Sequence, residues 1–255
     1  MRYALKIAYD GTAYAGWQRQ KNALSVQEAL ETAIQTALNT DLRVTASGRT
    51  DAGVHAAGQV CHFDSESITV PPEKMPDCLN RFLPADIRVL EGWAADEGFD
   101  SNRSAKQKTY CYTFYVSPRE MPLLDRYAVR LEDAPAQGIL QQKAKLFEGE
   151  HDFKAFCASG SSVKTTVRTV YEVRIEESKA FGCRMIKMFV TGNGFLYNMV
   201  RTMAGELIDL AKDKRTEQSL FTAYETGDRA LLGKTMPAKG LTLMQVVYKE
   251  NQSET

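Results

Sequence analysis

The sequence lacks the features that mark secreted, metal-binding and membrane-spanning proteins. Its five cysteines are widely spaced and form no Cys-x-x-Cys pair, which argues against a disulfide framework and a zinc ribbon. Its three histidines form no His-x-x-x-His or mixed His/Cys pair, so we expect no metal site. No apolar run approaches the roughly 20 residues that a membrane span needs. We therefore expect a cytoplasmic protein without membrane association.

The sequence also lacks a phosphate-binding loop of the type Gly-x-x-x-x-Gly-Lys-Ser/Thr. Residues 48–53 have the two glycines, but the lysine and the following helix that would cradle a phosphate are missing. A nucleoside triphosphate is therefore not implied.

The charges balance to a formal net charge of zero, which by itself would count against nucleic-acid binding. Their distribution is uneven, however. Residues 64–100 are acidic, whereas residues 101–119 and 178–205 contain basic side chains and no acidic ones. These two stretches are candidates for phosphate contacts. The alternative is that they are scattered, solvated charges on strand faces.

The first part of the 255-residue chain alternates strand and helix patterns. Residues 25–28 read Ser-Val-Gln-Glu, a capping box, and apolar residues at helical spacing then predict a helix over 25–39. Pro71 and Pro72 suit the first turn of a second helix that runs to about residue 83. Strands are predicted at residues 3–9, 42–45, 59–63 and 87–93. The order is β-α-β-β-α-β.

The second part repeats this order with one additional helix. Strands are predicted at 109–116, 167–175, 185–190 and 241–248, and helices at 136–147, 195–211 and 217–226. The sequence thus predicts an α+β fold of two tandem ferredoxin-like (βαββαβ) domains, residues 1–105 and 106–255, which share one antiparallel sheet with a central cleft.

The loop between the second and third predicted strands, residues 48–58, is longer than a hairpin tip needs. It carries Arg49 and Asp51. Residues two apart in an extended segment face the same way, so the Arg49 guanidinium can lie beside the Asp51 carboxylate and keep it ionised. Such a carboxylate can act as a nucleophile or a base. The alternative is that Asp51 only stabilises a turn, with Arg49 as its structural partner.

Four motifs resemble one known family. Residues 48–56 read Gly-Arg-Thr-Asp-Ala-Gly-Val-His-Ala, residues 108–112 read Lys-Thr-Tyr-Cys-Tyr, and residues 149–156 read Gly-Glu-His-Asp-Phe-Lys-Ala-Phe. Residues 192–201 read Gly-Asn-Gly-Phe-Leu-Tyr-Asn-Met-Val-Arg. Together they resemble the TruA family of tRNA pseudouridine synthases over essentially the whole chain.

The resemblance implies roles for four residues. Asp51 is similar to the catalytic aspartate of the family, which acts at the glycosidic bond of the target uridine. Arg49 would pair with Asp51 and help to hold the nucleotide out of the helix. Tyr110 resembles the active-site tyrosine, and Arg201 resembles an arginine that neighbours the aspartate; a core tyrosine and a phosphate contact are the respective alternatives. The resemblance further implies no cofactor, a tRNA substrate and a homodimer.

The function that follows is conversion of uridine to pseudouridine at positions 38, 39 and 40 in the anticodon stem and loop of tRNA. A non-catalytic RNA-binding protein is the main alternative, because ferredoxin-like sheets also bind RNA. A nucleoside hydrolase, which would release free uracil, is the third possibility.

Overall fold

The computed structural model describes residues 1–158 and 164–248. These residues fall into two compact units. The first contains Met1–Lys108 and the strand residues from Leu243 to Tyr248, and the second contains Thr109–Thr242. The chain passes from one unit to the other within a strand on both occasions.

Over the described ranges the chain forms ten strands and five α-helices, joined by loops and short 3-10 turns. In chain order they are β1 (Arg2–Tyr9), α1 (Val26–Leu38), β2 (Thr45–Ala46), β3 (His55–Asp64), α2 (Met75–Leu79), β4 (Ile87–Ala95), β5 (Ala105–Val116), β6 (Val129–Leu131), α3 (Gln137–Ala144), β7 (Gly149–Asp152), β8 (Val167–Ala180), β9 (Cys183–Gly192), α4 (Met199–Ala211), α5 (Glu217–Thr226) and β10 (Leu241–Tyr248).

The first unit has the strand arrangement of a ferredoxin-like domain. Its strands follow the order β4-β1-β3-β2, all antiparallel to their neighbours, and β10 also lies beside β3. Tyr3 on β1 lies opposite Phe63 on β3 and Ala94 on β4. The predicted order β-α-β-β-α-β is confirmed for this part of the chain.

Helix α1 shows why the sequence pattern predicted it well. The Ser25 hydroxyl accepts a hydrogen bond from the backbone N–H of Glu28 at 3.2 Å, which satisfies one of the free amides of the first turn. Val26, Leu30 and Ile34 are fully buried on one face. The helix ends at Asn39, whose φ of 51° places it in the left-handed conformation that terminates helices.

The second unit has the strand order β5-β9-β8-β7, with β6 paired to β5 in parallel. Strands β8 and β9 form a long hairpin, in which Ile175 lies opposite Met188. Helix α4 is the most buried helix, and only its residues Arg201 and Asp209 are partly exposed. The prediction of an α+β fold is confirmed.

Strand β3 begins at His55, four residues before the predicted Gln59, so the loop before it is shorter than expected. Gly58 caused the error, because we interpreted it as part of the loop. In the structure it lies within the strand, where an added Cβ would lie 2.5 Å from the carbonyl oxygen of Met244. Gly58 thus permits close approach of two backbones.

Helix α4 begins at Met199 and not at residue 195 as predicted. Asn198 has a φ of 66°, and a right-handed helix cannot continue through a left-handed residue. Helix α2 is also shorter than predicted and ends at Leu79. The short strands β6 and β7 were not predicted, since three or four residues are too few to show a clear alternation.

The predicted domain boundary between residues 105 and 106 stays a prediction, as does the central cleft. Within the described residues, no helix combines the length and the apolar character required to span a membrane.

Candidate active site

Asp51 lies in the loop that joins β2 to β3 in the first unit. Its side chain is partly exposed, whereas that of Arg49 is exposed. The backbone N–H of Val54 donates to the carbonyl oxygen of Asp51 at 3.1 Å, and Gly53 has a φ of 79°. This is a tight turn that needs a left-handed residue at its third position, and glycine supplies it without strain. Asp51 is therefore the first residue of a rigid turn.

Thr50, the residue before Asp51, forms hydrogen bonds through both its side chain and its backbone. The hydroxyl groups of Thr50 and Tyr9 are 2.8 Å apart and buried. The Thr50 carbonyl oxygen accepts from the backbone N–H of Trp17 at 3.0 Å. Burial raises the pKa of the Tyr9 phenol, so this group stays neutral. A buried hydroxyl pair next to Asp51 thus anchors the turn to β1.

The start of the loop is held by three side-chain hydrogen bonds. The Ser47 hydroxyl donates to Gln59 Oε1 at 2.5 Å, and Gln59 Nε2 donates to the Gly48 carbonyl oxygen at 2.9 Å. Lys108 Nζ donates to the Ser47 carbonyl oxygen at 2.5 Å. Because both Ser47 and Gln59 are fully buried, the bond between their side chains is shielded from competing water.

A second loop, residues 10–17, packs directly against this one. An added Cβ at Gly11 would lie 2.0 Å from the Val54 carbonyl oxygen, and one at Gly16 would lie 2.5 Å from that of Thr50. The backbone N–H of Gly11 also donates to His55 Nδ1 at 3.0 Å. His55 is 4% exposed. His55 thus connects the two loops.

Tyr110 belongs to β5 in the second unit and is 8% exposed. Its ring packs edge to face against Phe195, with the centroids 5.2 Å apart. This is a favourable aromatic geometry that fixes the plane of the Tyr110 ring.

Arg201 occupies the first turn of α4, also in the second unit. Its Nε donates to the Met236 carbonyl oxygen at 2.7 Å, and its NH1 donates to Asn198 Oδ1 at 2.7 Å. Tyr110 thus contacts Phe195, and Arg201 contacts Asn198, so both side chains lie along the segment that leads into α4. Their proximity to Asp51, and the Arg49–Asp51 ion pair, stay predictions.

Asn193 lies before α4 but does not cap it. Its Oδ1 accepts from the backbone N–H of Thr169 at 3.0 Å, and its own N–H donates to the Thr169 carbonyl oxygen at 3.0 Å. Asn193 thus extends the pairing of β8 and β9. The residue in the capping position is Asn198, whose side chain holds Arg201 instead of a helix amide.

Glu206 is a fully buried carboxylate on α4. Burial raises its pKa, while the backbone N–H of Gly233, which donates to Oε2 at 2.5 Å, and nearby Arg215 act in the opposite direction. Among the described residues, its Oε1 has no hydrogen-bond partner. The folded protein therefore favours the protonated form of Glu206 more than the unfolded chain does.

The pH dependence of stability should reveal this carboxylate. Because the pKa of Glu206 is raised on folding, its favourable contribution is complete below the ordinary value of 4.5 and is lost as pH rises through the folded value. We expect the free energy of unfolding of wild type to fall relative to that of Glu206→Gln as pH rises from 4.5 through the raised folded pKa. Urea titrations across this range measure the difference. Glu225→Gln, at an exposed site on α5, is the control, and a difference independent of pH would contradict the prediction.

Sequence reasoning missed the contacts of Tyr9, Gln59, Asn198 and Met236. Tyr9 and Thr50 are separated by 41 residues, and no local pattern links them. Met236 acts through its backbone, which leaves no signal in the choice of side chain. Within residues 1–158 and 164–248, no three or more His, Cys, Asp or Glu side chains are grouped so that they could hold a metal ion.

A tightly held loop that presents one partly exposed carboxylate is typical of enzymes. The fold and these side chains thus define an α+β protein with the features of a catalyst. The family model described as "tRNA pseudouridine synthase" matches residues 6–98 and 144–249. The chain belongs to the tRNA pseudouridine synthase family.

Individual relatives agree with this assignment. A tRNA pseudouridine synthase A from Ruminiclostridium cellulolyticum is 42% identical over 96% of this chain and 98% of its own. Proteins of the same name are 39% identical in Caldicellulosiruptor bescii, over 96% and 98% of the two chains, and 40% identical in Syntrophotalea carbinolica, over 96% and 95%. A solved Cbf5-Nop10-Gar1 complex has a TM-score of 0.39 at 13% identity over 97% of this chain and 50% of that chain, a likeness too low to support an argument.

Proposed function

We propose that this protein converts uridine to pseudouridine at positions 38, 39 and 40 in the anticodon stem and loop of tRNA, with Asp51 as the catalytic aspartate. The carrying observation is the rigid turn that presents Asp51 within a chain whose relatives are tRNA pseudouridine synthases. The names of these relatives are names of enzymes, so the non-catalytic RNA-binding alternative is not favoured.

The reaction needs one carboxylate and no net redox change. Asp51 assists departure of the uracil N1 from the sugar C1′, the freed uracil turns, and its C5 forms a new bond to C1′. The C5 proton then leaves to solvent by way of the Tyr110 hydroxyl, and N1 takes up a proton, so the product is an isomer of the substrate. A glycoside hydrolase needs a second carboxylate to activate water. Here the base is recaptured, so no water replaces it and no cofactor is required.

The other site residues have supporting roles in this proposal. Tyr110 lies against the uracil and its hydroxyl accepts a proton during the isomerisation. Arg49 pairs with Asp51 and holds the flipped nucleotide, and Arg201 binds the target nucleotide beside the aspartate. Flipping a paired base costs a few kcal/mol, which phosphate contacts along the basic stretches 101–119 and 178–205 offset.

The homodimer and the cytoplasmic setting are part of the same proposal. The family resemblance supports the homodimer, and the absence of paired cysteines in the sequence supports a reducing compartment.

A tRNA labelled with tritium at uracil C5 tests the proposed reaction. Isomerisation releases tritium to water while the base stays attached to the RNA, whereas hydrolysis releases labelled uracil and a binding protein releases neither. We expect tritium in water and no free uracil. Mapping the pseudouridines should place them at positions 38 to 40, and release from other positions would contradict the proposed specificity.

Tyr110→Phe should separate the two roles of the tyrosine. Phenylalanine keeps the ring packed against Phe195 but removes the hydroxyl, and loss of a general acid or base typically costs about 100-fold or more. We expect kcat to fall by about this factor with little change in melting temperature. Tyr3→Phe, which removes the hydroxyl bond to the Ile68 carbonyl oxygen, is the control. A wild-type kcat for Tyr110→Phe would exclude a role for the hydroxyl.

A further inference from the structure

Residues 233–237 form an irregular segment that lies along α4, and we call it the strap. It contacts the helix at successive positions. The Gly233 N–H donates to Glu206 Oε2 at 2.5 Å, and the Met236 N–H donates to the Arg201 carbonyl oxygen at 3.1 Å. Between them, the hydroxyl groups of Thr235 and Thr202 are 3.0 Å apart. The strap thus follows α4 over the whole interval from Glu206 to Arg201.

Gly205 allows this close approach. A Cβ added at Gly205 would lie 1.9 Å from the Lys234 carbonyl oxygen and 3.1 Å from its carbon. Both are backbone atoms, which cannot rotate away as a flexible side chain would. Any larger residue at position 205 must therefore push the strap away from the helix.

The strap also contacts the guanidinium of Arg201. The Met236 carbonyl oxygen accepts from Nε, while Asn198 Oδ1 accepts from NH1, both at 2.7 Å. Two acceptors on different nitrogens fix the plane of a guanidinium group as well as its position. One acceptor is a strap backbone atom, so the orientation of Arg201 depends on where the strap lies.

The strap is also fastened beyond Met236. The Tyr112 hydroxyl donates to the Pro237 carbonyl oxygen at 2.6 Å, and an added Cβ at Gly240 would lie 2.6 Å from Tyr112 Cζ. Tyr112 is two residues from Tyr110 on β5, so the two side chains project from the same face of the strand. The strap therefore runs from α4 to the strand that carries the second proposed active-site residue.

We propose that the strap is a positioning element that orients Arg201 for the reaction, and that Gly205 is the positioning residue that admits it. This inference rests on the proposed function, in which Arg201 binds the target nucleotide. An arginine side chain has several rotatable bonds, and a misplacement of about 1 Å can cost about 100-fold in rate. The strap removes that freedom before the substrate binds.

Gly205→Ala tests the proposal, because it moves the strap while leaving Arg201 in the sequence. The rate constant of tritium release is measured in a single turnover with saturating enzyme. Under these conditions the rate constant does not depend on the fraction of enzyme that is folded, so a purely structural defect would lower the melting temperature and leave the rate unchanged. We expect the rate constant to fall about 10- to 100-fold, with tRNA affinity changed less than about threefold, because phosphate contacts dominate affinity.

Gly138→Ala is the matched control. It makes the same substitution in helix α3 of the same unit, where an added Cβ would have nothing within 4 Å. Its rate constant should equal that of wild type. An equal fall for Gly205→Ala and Gly138→Ala would overturn the proposal.

A double variant shows whether the strap acts through Arg201. If it does, Arg201→Ala with Gly205→Ala should be no slower than Arg201→Ala alone, since residues that act as a unit are not additive. An additive loss, or a wild-type rate for folded Gly205→Ala when Arg201→Ala is slow, would overturn the proposal.

Thr235→Val provides a milder variant in case Gly205→Ala fails to fold. It removes the hydroxyl contact with Thr202 at nearly constant volume, and we expect a rate constant a few-fold below wild type. Combined with Arg201→Ala, it should cause no further loss. A wild-type rate would count against the strap. The proposed function has its own separate failure: wild-type protein that releases no tritium would refute the activity, and a wild-type rate for Arg201→Ala would refute the role of Arg201.

Discussion

Asp51→Asn is expected to reduce tritium release from uracil-labelled tRNA by on the order of 10³-fold or more, since it removes the only carboxylate that the proposed reaction uses. Asparagine has nearly the same shape as aspartate. The turn should survive, because Val54 donates to the backbone carbonyl of residue 51 and not to the side chain. The melting temperature and the affinity for tRNA should therefore remain close to those of wild type.

Three further variants make this test decisive. Asp51→Ala cannot regain a carboxylate by deamidation, so its residual rate sets the lower limit for the protein. Asp51→Glu keeps the charge but moves it by one methylene. We expect its rate to lie between that of wild type and that of Asp51→Ala. Asp41→Asn removes an exposed carboxylate in the segment before β2 and should behave as wild type. Full tritium release by Asp51→Asn would refute the catalytic assignment.

Gly11→Ala is expected to lower the free energy of unfolding by about 3 kcal/mol or more and the rate of tritium release by about 100-fold. The added methyl would lie 2.0 Å from the Val54 carbonyl oxygen and 2.6 Å from its carbon, so the backbone of one loop must move. That movement displaces the turn of residues 51–54 and breaks the hydrogen bond from Gly11 to His55. We therefore expect Gly11→Ala to be less stable than wild type and its Asp51 to be displaced.

Gly98→Ala supplies the control for this substitution. Gly98 lies in the same unit, and an added Cβ there would have open space around it. Urea unfolding and single-turnover kinetics of the two variants, measured side by side, separate the effect of the contact from that of the lost glycine. Wild-type stability for Gly11→Ala would show that the two loops do not pack as described.

The elements that the sequence predicted well are those whose signals are local. Helix α1 has a capping serine, a buried stripe at helical spacing and a polar residue that ends it, so pattern and structure agree to within a residue or two. Asp51 became a candidate because it lies in the long loop of residues 48–58, and its catalytic role stays a prediction. Family resemblance changed its interpretation, because the residues alone favoured a simple turn.

The features that the sequence could not predict depend on long-range backbone contacts. In the sequence Gly58 is typical of a loop residue, and only the structure shows that it lies beside the backbone of Met244. Arg201 could be assigned a role by resemblance, but its partner Met236 contributes a carbonyl oxygen that every residue type possesses. The same holds for the Tyr9–Thr50 pair, since either hydroxyl could have bonded elsewhere.

The backbone contacts of the strap determine which positions in this part of the molecule can be substituted during evolution. Its contacts with Arg201 and Tyr112 use the carbonyl oxygens of Met236 and Pro237, and the Lys234 side chain is exposed. Substitutions at position 234 should therefore be nearly neutral. Gly205 and Gly240 admit no such freedom, because each faces a group closer than a Cβ contact allows. In a lineage of such proteins, the route of the strap would be inherited through the glycines that face it, while the exposed side chain at position 234 could vary.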